Sequence, residues 1–298
     1  MSMMLYIIGN GFDLYHNMRT SFADFRVFIE RNARDTFNDI YTYLSIDESW
    51  ADLESALADL DVDYIVEDLG GFATSYGADD WSDSGHHDFQ FEVDRVVQHL
   101  SSDLLSYFEN WISQVPIPDQ NTVRRLTTIN PQAKFLTFNY TPTLAYLYGV
   151  PADRTLHIHG STADPEQKII LGHAWNPQDR KSLNDRPDIA EIDTRLMEAN
   201  GIIDRFFSST FKPSKQLINK HRSFFDRLDG VSEVVVLGHS LSDVDAEYFK
   251  ALLAVPSIAL ATWTIACRPE DNRQKKLQRV VKLGISASNV KLMDWSSF

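Results

Sequence analysis

Residues 5–13 read Leu5-Tyr6-Ile7-Ile8-Gly9-Asn10-Gly11-Phe12-Asp13, an apolar run that passes directly into a glycine turn. The run has the length and composition of a buried strand. A Gly-x-Gly after such a strand lets the backbone turn tightly into a helix, so that amide N–H groups can face a phosphate. The full dinucleotide fingerprint needs a third glycine where this chain has Leu14. The motif alone therefore leaves open both a nucleotide-binding turn and an ordinary strand-to-helix turn.

Similar apolar runs recur along the chain and alternate with helical patterns. The other predicted strands lie at 134–138, 155–158, 168–171, 233–237, 262–266 and 290–293. In the clearest helical pattern, between Val93 and Ile112, apolar residues recur every three or four positions. Continuously apolar strands that alternate with amphipathic helices are typical of a parallel sheet covered on both faces. The sequence therefore predicts an α/β fold with a Rossmann-like, mostly parallel sheet and helices on both faces.

The spacing of the predicted strands is uneven. About 120 residues separate the first strand from the second, whereas a βαβ crossover needs about 30. We therefore predict a single domain over residues 1–298, with a helical insertion at about 25–125 and a smaller one at about 176–230. Residues 70–89 are rich in Gly, Ser and Asp without periodicity, which predicts a loop or lid.

Composition narrows the class of protein. The net charge is −14 and no run of Lys or Arg is present, so nucleic acid is disfavoured as a partner. The single cysteine, Cys267, excludes an internal disulfide and a multi-cysteine zinc site, and we expect it to be buried. No apolar stretch is long enough for a membrane span, so we expect no membrane partner and a cytoplasmic location.

Polar residues beside the predicted strand ends are candidates for holding a ribose. Asp13, Thr20 and Ser21 can bind ribose hydroxyls, although Thr20 and Ser21 can equally cap a helix that begins near Phe22. Asn139 follows the second strand, where its amide can both donate and accept hydrogen bonds. It either orients a ribose hydroxyl or a water, or merely ends the strand.

Two histidines flank Ile158 near the end of the third predicted strand. Strand alternation predicts that His157 and His159 share one face and Ile158 lies on the other. Histidine is suited to moving protons near neutral pH. Because Gly160 follows at once, we expect His159 to lie at the open edge of the sheet and His157 to be a hydrogen-bonded core residue.

A further buried strand runs into Gly238, followed by a polar turn. We predict that Gly238, His239, Ser240 and Asp245 lie close to the ligand, although residues of this turn can also cap the next helix. A nucleophilic serine is disfavoured, because the turn lacks the final glycine of the pattern G-x-S-x-G. The histidines also leave a metal site open as an alternative. Its ligands would be His157, His159, His173 or His239, and Asp243 or Asp245.

The motifs together resemble the bacteriophage abortive infection AbiH family over about residues 4–250. The resemblance rests on Ile-Ile-Gly-Asn-Gly-Phe-Asp-Leu (7–14), Thr-Ser-Phe-x-x-Phe (20–25), Trp-x-x-Leu-Glu (50–54), Thr-Phe-Asn-Tyr-Thr (137–141), His-Ile-His-Gly (157–160) and Gly-His-Ser-Leu-Ser-Asp-x-Asp (238–245). The combined set is far more specific than any single member.

That family is distantly similar to sirtuin-like NAD-binding domains. The resemblance implies that Gly9 and Gly11 bind phosphates, that Asn139 holds the nicotinamide ribose or a water, and that His159 is the catalytic base. The zinc-binding cysteines of sirtuins are absent, which disfavours deacylation. The cofactor-binding set predicted in this way is Gly9, Asn10, Gly11, Phe12, Asp13, Thr20, Ser21, Gly238, His239, Ser240 and Asp245.

The resemblance implies an antiphage protein that binds NAD, as substrate or ligand, or a related nucleotide. The leading hypothesis is hydrolysis of NAD to nicotinamide and ADP-ribose, with Asn139 and His159 as catalytic residues. The alternatives are a metal-dependent phosphoesterase or nuclease and a non-catalytic nucleotide-sensing protein. A homo-oligomer and a phage-derived trigger are further partners that the sequence leaves open.

Overall fold

The structure is a computed structural model that describes residues 3–73 and 87–298. The chain divides into two compact units. The first consists of Met1–Ser21, Ile112–Ile170 and Pro213–Phe298, and the second of Phe22–Trp111 and Leu171–Lys212. Two stretches that are distant in the chain thus build the second unit together, and they include much of both predicted insertions. Most of the predicted loop at 70–89 lies at 74–86, outside the described residues.

The first unit contains a six-stranded sheet in which every neighbouring pair is parallel. Its strands are β1 (Met3–Ile8), β2 (Lys134–Thr137), β3 (Thr155–His157), β4 (Val231–Leu237), β5 (Thr262–Cys267) and β6 (Val290–Asp294). The spatial order is β3-β2-β1-β4-β5-β6. This is the order of a doubly wound Rossmann sheet, so the predicted fold class is confirmed.

The predicted strand at 168–171 is wrong, because this segment does not join the sheet. It runs instead against the turn that follows β3, where the Ile170 N–H donates to the His159 carbonyl at 3.0 Å. Gly160 has a φ of +90°, and a Cβ at this position would lie 2.5 Å from the Lys168 carbonyl oxygen. The apolar residues of this segment therefore mark a close-packed turn rather than a strand ladder.

Both faces of the sheet are buried, as the continuously apolar strands predicted. In β1, Leu5 and Ile7 belong to one core cluster, whereas Tyr6 and Ile8 belong to the other. This alternation follows from the two-residue period of a strand. Helices of the first unit cover the two faces, so the sheet holds the residues after each strand on a rigid base.

The helices of the first unit are α1 (Gly11–Tyr15), α8 (Thr143–Tyr148), α10 (Ser214–Lys220), α11 (Arg222–Asp226), α12 (Ala246–Leu253), α13 (Pro256–Ala259) and α14 (Arg273–Lys282). The second unit contains α2 (Phe22–Asn32), α3 (Arg34–Tyr43), α4 (Leu53–Ala56), α5 (Val62–Leu69), α6 (Asp88–Gln98), most of α7 (Leu104–Ser113) and α9 (Thr194–Ser209). None of the described helices is long and apolar enough to cross a membrane.

The strand order determines where a ligand can bind. The chain leads outward from β1 to β3 and then returns to β4 on the other side of β1. In such sheets, ligands bind outside the carboxyl ends of the strands, at the point where the order reverses. The residues that follow β1, β2, β3 and β4 all lie at this edge, because the strands are parallel.

Candidate functional site

The two glycine turns that follow β1 and β4 pack directly against each other. The N–H groups of Gly9 and Gly11 donate to the carbonyls of Leu237 and Gly238 at 3.0 and 2.9 Å. A Cβ on Gly9 would lie 2.5 Å from the Cα of His239, and one on Gly11 would lie 2.7 Å from the Cα of Gly238. In this structure the glycines therefore allow a close approach of two backbones, and their own amides are already paired.

The other predicted residues of the first turn have different surroundings. The Asn10 side chain donates to the Thr20 carbonyl at 2.7 Å and so ties the following loop to the turn. Phe12 is buried in the core on one face of the sheet. The Thr20 hydroxyl is buried and forms no hydrogen bond with a described residue. Ser21 is half-buried, and α2 begins directly after it at Phe22, as predicted.

Asp13 lies on α1 and is almost fully buried, with 1% of its surface exposed. Its Oδ2 accepts a hydrogen bond of 2.5 Å from the Thr141 hydroxyl, which is 2.9 Å from the Thr143 hydroxyl. Burial raises the pKa of Asp13 to about 6, although the nearby side chains of Thr141, Thr143 and Asn139 oppose this change. The Asp13 carboxyl therefore changes protonation close to neutral pH.

Asn139 follows β2, and its backbone is held on both sides. Its N–H donates to the Thr137 hydroxyl at 3.1 Å, and its carbonyl accepts from the His157 ring at 3.0 Å. The side chain is only 5% exposed. Among the described residues, neither Oδ1 nor Nδ2 of Asn139 has a hydrogen-bond partner, and the same holds for Oδ1 of Asp13. Buried polar atoms of this kind normally have partners, and either a water molecule or a bound group can provide them here.

His159, His239 and Asp245 form a second buried cluster. The Asp245 carboxylate lies between the two rings, with Oδ1 4.0 Å from Nε2 of His159 and Oδ2 3.4 Å from Nε2 of His239. Nε2 of His159 also lies 3.1 Å from the Tyr248 hydroxyl. The structure thus brings together three residues that follow β3 and β4, as their positions in the sequence predicted.

The contacts of His239 assign the position of its proton. Nδ1 accepts a hydrogen bond of 2.9 Å from the Leu241 N–H, so this nitrogen carries no proton. The proton of the neutral ring therefore lies on Nε2, which faces Asp245.

The prediction that His157 and His159 share a face of the sheet is wrong. β3 ends at His157, and the chain then turns, so the strand alternation stops there. The ring of His157 contacts the Asn139 carbonyl, and burial lowers the pKa of His157. The ring of His159 packs against Phe138, with centroids 5.3 Å apart. The two histidines accordingly have different partners.

The remaining residues of the β4 turn do not gather around these clusters. Ser240 is exposed, and its carbonyl accepts a hydrogen bond from Arg279. Asp243 is exposed and pairs with Lys282. His173 belongs to the second unit, where its ring donates to the Phe207 carbonyl. Over residues 3–73 and 87–298, no group of three or more His, Cys, Asp or Glu side chains is arranged to hold a metal ion.

The Trp-x-x-Leu-Glu motif lies in the second unit. Trp50 is fully buried, and Glu54 pairs at 2.7 Å with the buried side chain of Lys212. The sequence left open whether Glu54 is a solvated acid beside a packed tryptophan or a residue at the mouth of the site. The partner lies 158 positions further along the chain, and nothing local in the sequence indicates it.

Several residues of the site were not predicted. Thr141 and Thr143 contact Asp13, and Tyr248 and Phe138 contact His159. Thr141 follows Asn139 by two residues, so its proximity could have been inferred from the same strand end. Tyr248 follows Asp245 by three residues, which is the helical spacing that places two side chains on one face.

The chain matches a known protein family. A model of the family described as bacteriophage abortive infection AbiH matches residues 5–267. The match covers most of the chain and overlaps every strand of the sheet except β6. No curated protein matches the chain.

Proposed function

The chain belongs to the bacteriophage abortive infection AbiH family, whose function is antiphage abortive infection, and we propose that it acts by binding NAD or a related nucleotide and hydrolysing NAD. The products are nicotinamide and ADP-ribose. One observation carries the proposal. Asp13 and Asn139 are buried at the carboxyl ends of β1 and β2, and both present polar atoms that no described residue satisfies.

These two side chains suit the ribose end of a nucleotide. Asn139 offers one donor and one acceptor, so it can hold a ribose hydroxyl or the attacking water in a single orientation. Asp13 is ionised above pH 6, and its carboxylate favours the positive charge that develops on the ribose as the glycosidic bond breaks. Asp13 is held by Thr141, so this charge keeps its position.

The hydrolysis balances with water as the only co-reactant. The bond between the nicotinamide nitrogen and C1′ of the ribose breaks, and the electron pair leaves with nicotinamide, which becomes neutral. The water oxygen bonds to C1′, and its proton passes to a base. His159 is the base in this proposal, because its ring lies beside Asp245 and next to Phe138, the residue before Asn139. A nearby carboxylate favours the protonated ring that forms.

The experiment compares NAD turnover in three variants that keep the fold. Asn139→Ala and His159→Ala are each expected to slow nicotinamide release by roughly 100-fold or more, which is the usual loss when an orienting group or a base is removed. Asn219→Ala, an exposed asparagine on α10, is the matched control and should retain wild-type turnover. Circular dichroism and thermal unfolding verify that each variant is folded.

The assay is carried out in infected cells, because infection supplies a phage-derived trigger. Cells that express each variant are infected, and NAD, nicotinamide and ADP-ribose are quantified by mass spectrometry. We expect NAD to fall in cells with the wild type and with Asn219→Ala, and to persist with the other two variants. Phage resistance with unchanged NAD in the wild type would overturn the proposal, and NAD binding without products would identify a nucleotide sensor instead.

A further inference from the structure

A cavity of about 440 Å³ lies in the first unit beside α1, at the carboxyl ends of β5 and β6. Tyr15 and Trp295 form part of its wall, and Arg124 and Arg268 also line it. The volume lies in the range of small-molecule sites, which is about 300–1,000 Å³. It can therefore hold a group as large as a mononucleotide.

Within this cavity, the side chain of Arg268 lies next to Gly11. A Cβ on Gly11 would lie 2.9 Å from a terminal nitrogen of Arg268, so the guanidinium lies close against the first turn of α1. The nearest carboxylate oxygen, on Glu270, is 3.9 Å away, and both side chains are well exposed. Such a loose pair contributes little energy, so the guanidinium can exchange Glu270 for a ligand.

Arg124 approaches the same cavity from another segment. Its guanidinium lies 5.3 Å from the centroid of the Tyr15 ring, and Tyr15 is stacked on Trp295 with centroids 4.9 Å apart. Within the described part of the chain, Arg124 forms no ion pair with a carboxylate. A guanidinium held over an aromatic ring keeps its N–H groups free to point along the ring plane. The cavity thus combines two arginines in a chain whose net charge is −14.

The cavity and the Asp13–Asn139 cluster lie on different sides of α1. Asp13 and Tyr15 are two residues apart, which turns their side chains by about 200° around a helix. Asp13 contacts Thr141 after β2, whereas Tyr15 contacts Trp295 after β6. The cavity is therefore a separate site rather than part of the Asp13–Asn139 cluster.

We propose that this cavity binds the phosphate groups of a nucleoside diphosphate, with Arg268 and Arg124 donating to the phosphate oxygens. Guanidinium groups match the geometry of phosphate oxygens and bind them through two parallel hydrogen bonds. Of the two acidic residues in the wall, Asp294 is paired at 2.5 Å with Arg273, and Glu270 forms only the loose pair of 3.9 Å with Arg268. The site requires neither NAD cleavage nor the roles of Asn139 and His159.

Calorimetric titration with ADP tests the site on the whole protein. We expect ADP to bind wild type, and Arg268→Gln and Arg124→Gln each to weaken binding at least about tenfold, since each removes a charged hydrogen bond. Arg268→Lys should restore part of the affinity because it keeps the charge. Arg222→Gln is the control, because Arg222 is an exposed arginine of the first unit outside this cavity and should bind ADP as the wild type does.

The ligand series separates phosphate recognition from recognition of the nucleoside. Pyrophosphate should bind, and lose affinity in the same two variants, whereas adenosine should not bind measurably. The proposal is overturned if both Arg→Gln variants bind ADP with wild-type affinity. It is also overturned if adenosine binds as tightly as ADP, or if the wild type does not bind ADP. Nicotinamide release is measured separately, so loss of one activity does not obscure the other.

Discussion

Replacing Asp13 by asparagine removes a buried titrating group while keeping the size of the side chain. In the folded protein the pKa of Asp13 is about 6, against an ordinary value of 3.8, because burial disfavours the charged form. Between these two values the folded protein binds a proton that the unfolded chain has already released. Stability therefore falls as pH rises from 3.8 to 6, and the loss is complete above the folded value.

The size of the effect follows from the difference between the two pKa values. At about 1.4 kcal/mol per unit, ionised Asp13 reduces the free energy of unfolding by about 3 kcal/mol above pH 6. Roughly half of this change falls between about pH 5 and about pH 8, where the protein can be handled. Asp13→Asn lacks this titration. Its stability relative to the wild type should consequently increase by about 1.4 kcal/mol across that interval.

Urea unfolding at several pH values measures this difference. Tryptophan fluorescence and circular dichroism should be followed together, because two compact units can unfold in separate steps. The replacement of a carboxyl group by an amide can also change the free energy of unfolding by an amount that does not depend on pH. This amount cancels when the difference between variant and wild type is compared across pH values. A difference between variant and wild type that does not change with pH would refute the raised pKa of Asp13. If the carboxylate takes part in NAD hydrolysis, nicotinamide release should also rise through about pH 6 and be lost in Asp13→Asn.

Further measurements test other parts of the structure. Gly238→Ala should lower the free energy of unfolding by about 3 kcal/mol or more, because φ is +73° and the Cβ would lie 2.2 Å from a backbone nitrogen of α1. Gly149 has a φ of +63° but open space where a Cβ would be. Gly149→Ala should therefore lower the free energy of unfolding by only about 1 kcal/mol in the same urea titration. Lys212→Met should lower the free energy of unfolding by about 3 kcal/mol, because the half-buried Glu54 then faces an apolar group, and the double replacement with Glu54→Met should restore most of this loss. Cys267 is fully buried and burial raises the pKa of its thiol, so a thiol reagent should label it only after unfolding.

A particular result would refute each of these expectations. If Gly238→Ala and Gly149→Ala lower the free energy of unfolding equally, the loss comes from the positive φ alone. The close contact between the two glycine turns would then contribute nothing. A double variant no more stable than Lys212→Met would show that the buried ion pair with Glu54 is not the source of the loss. Labelling of Cys267 in the native protein at the rate of an unfolded thiol would contradict its burial.

The glycine turn after β1 has a different role from the one its pattern suggested. Gly9 and Gly11 donate their amides to the β4 turn, and their lack of side chains allows that turn to approach. At Gly11 a terminal nitrogen of Arg268 also lies close, 2.9 Å from where a Cβ would be, so a guanidinium lies beside the turn. The pattern G-x-G therefore marked a close backbone approach correctly without indicating which groups face a ligand.

The amino-acid sequence by itself determined the fold class and which polar residues follow the strands. Alternating burial in β1 and the polar residues that end each strand are local patterns, and chain order identifies Asp13, Asn139 and His159 as strand-end residues. Only the tertiary structure decided which of these residues meet. Asp13 contacts Thr141, 128 positions away, and its raised pKa depends on the burial that this packing produces. Local patterns cannot encode such contacts, because they arise only when the sheet brings distant strand ends to one edge.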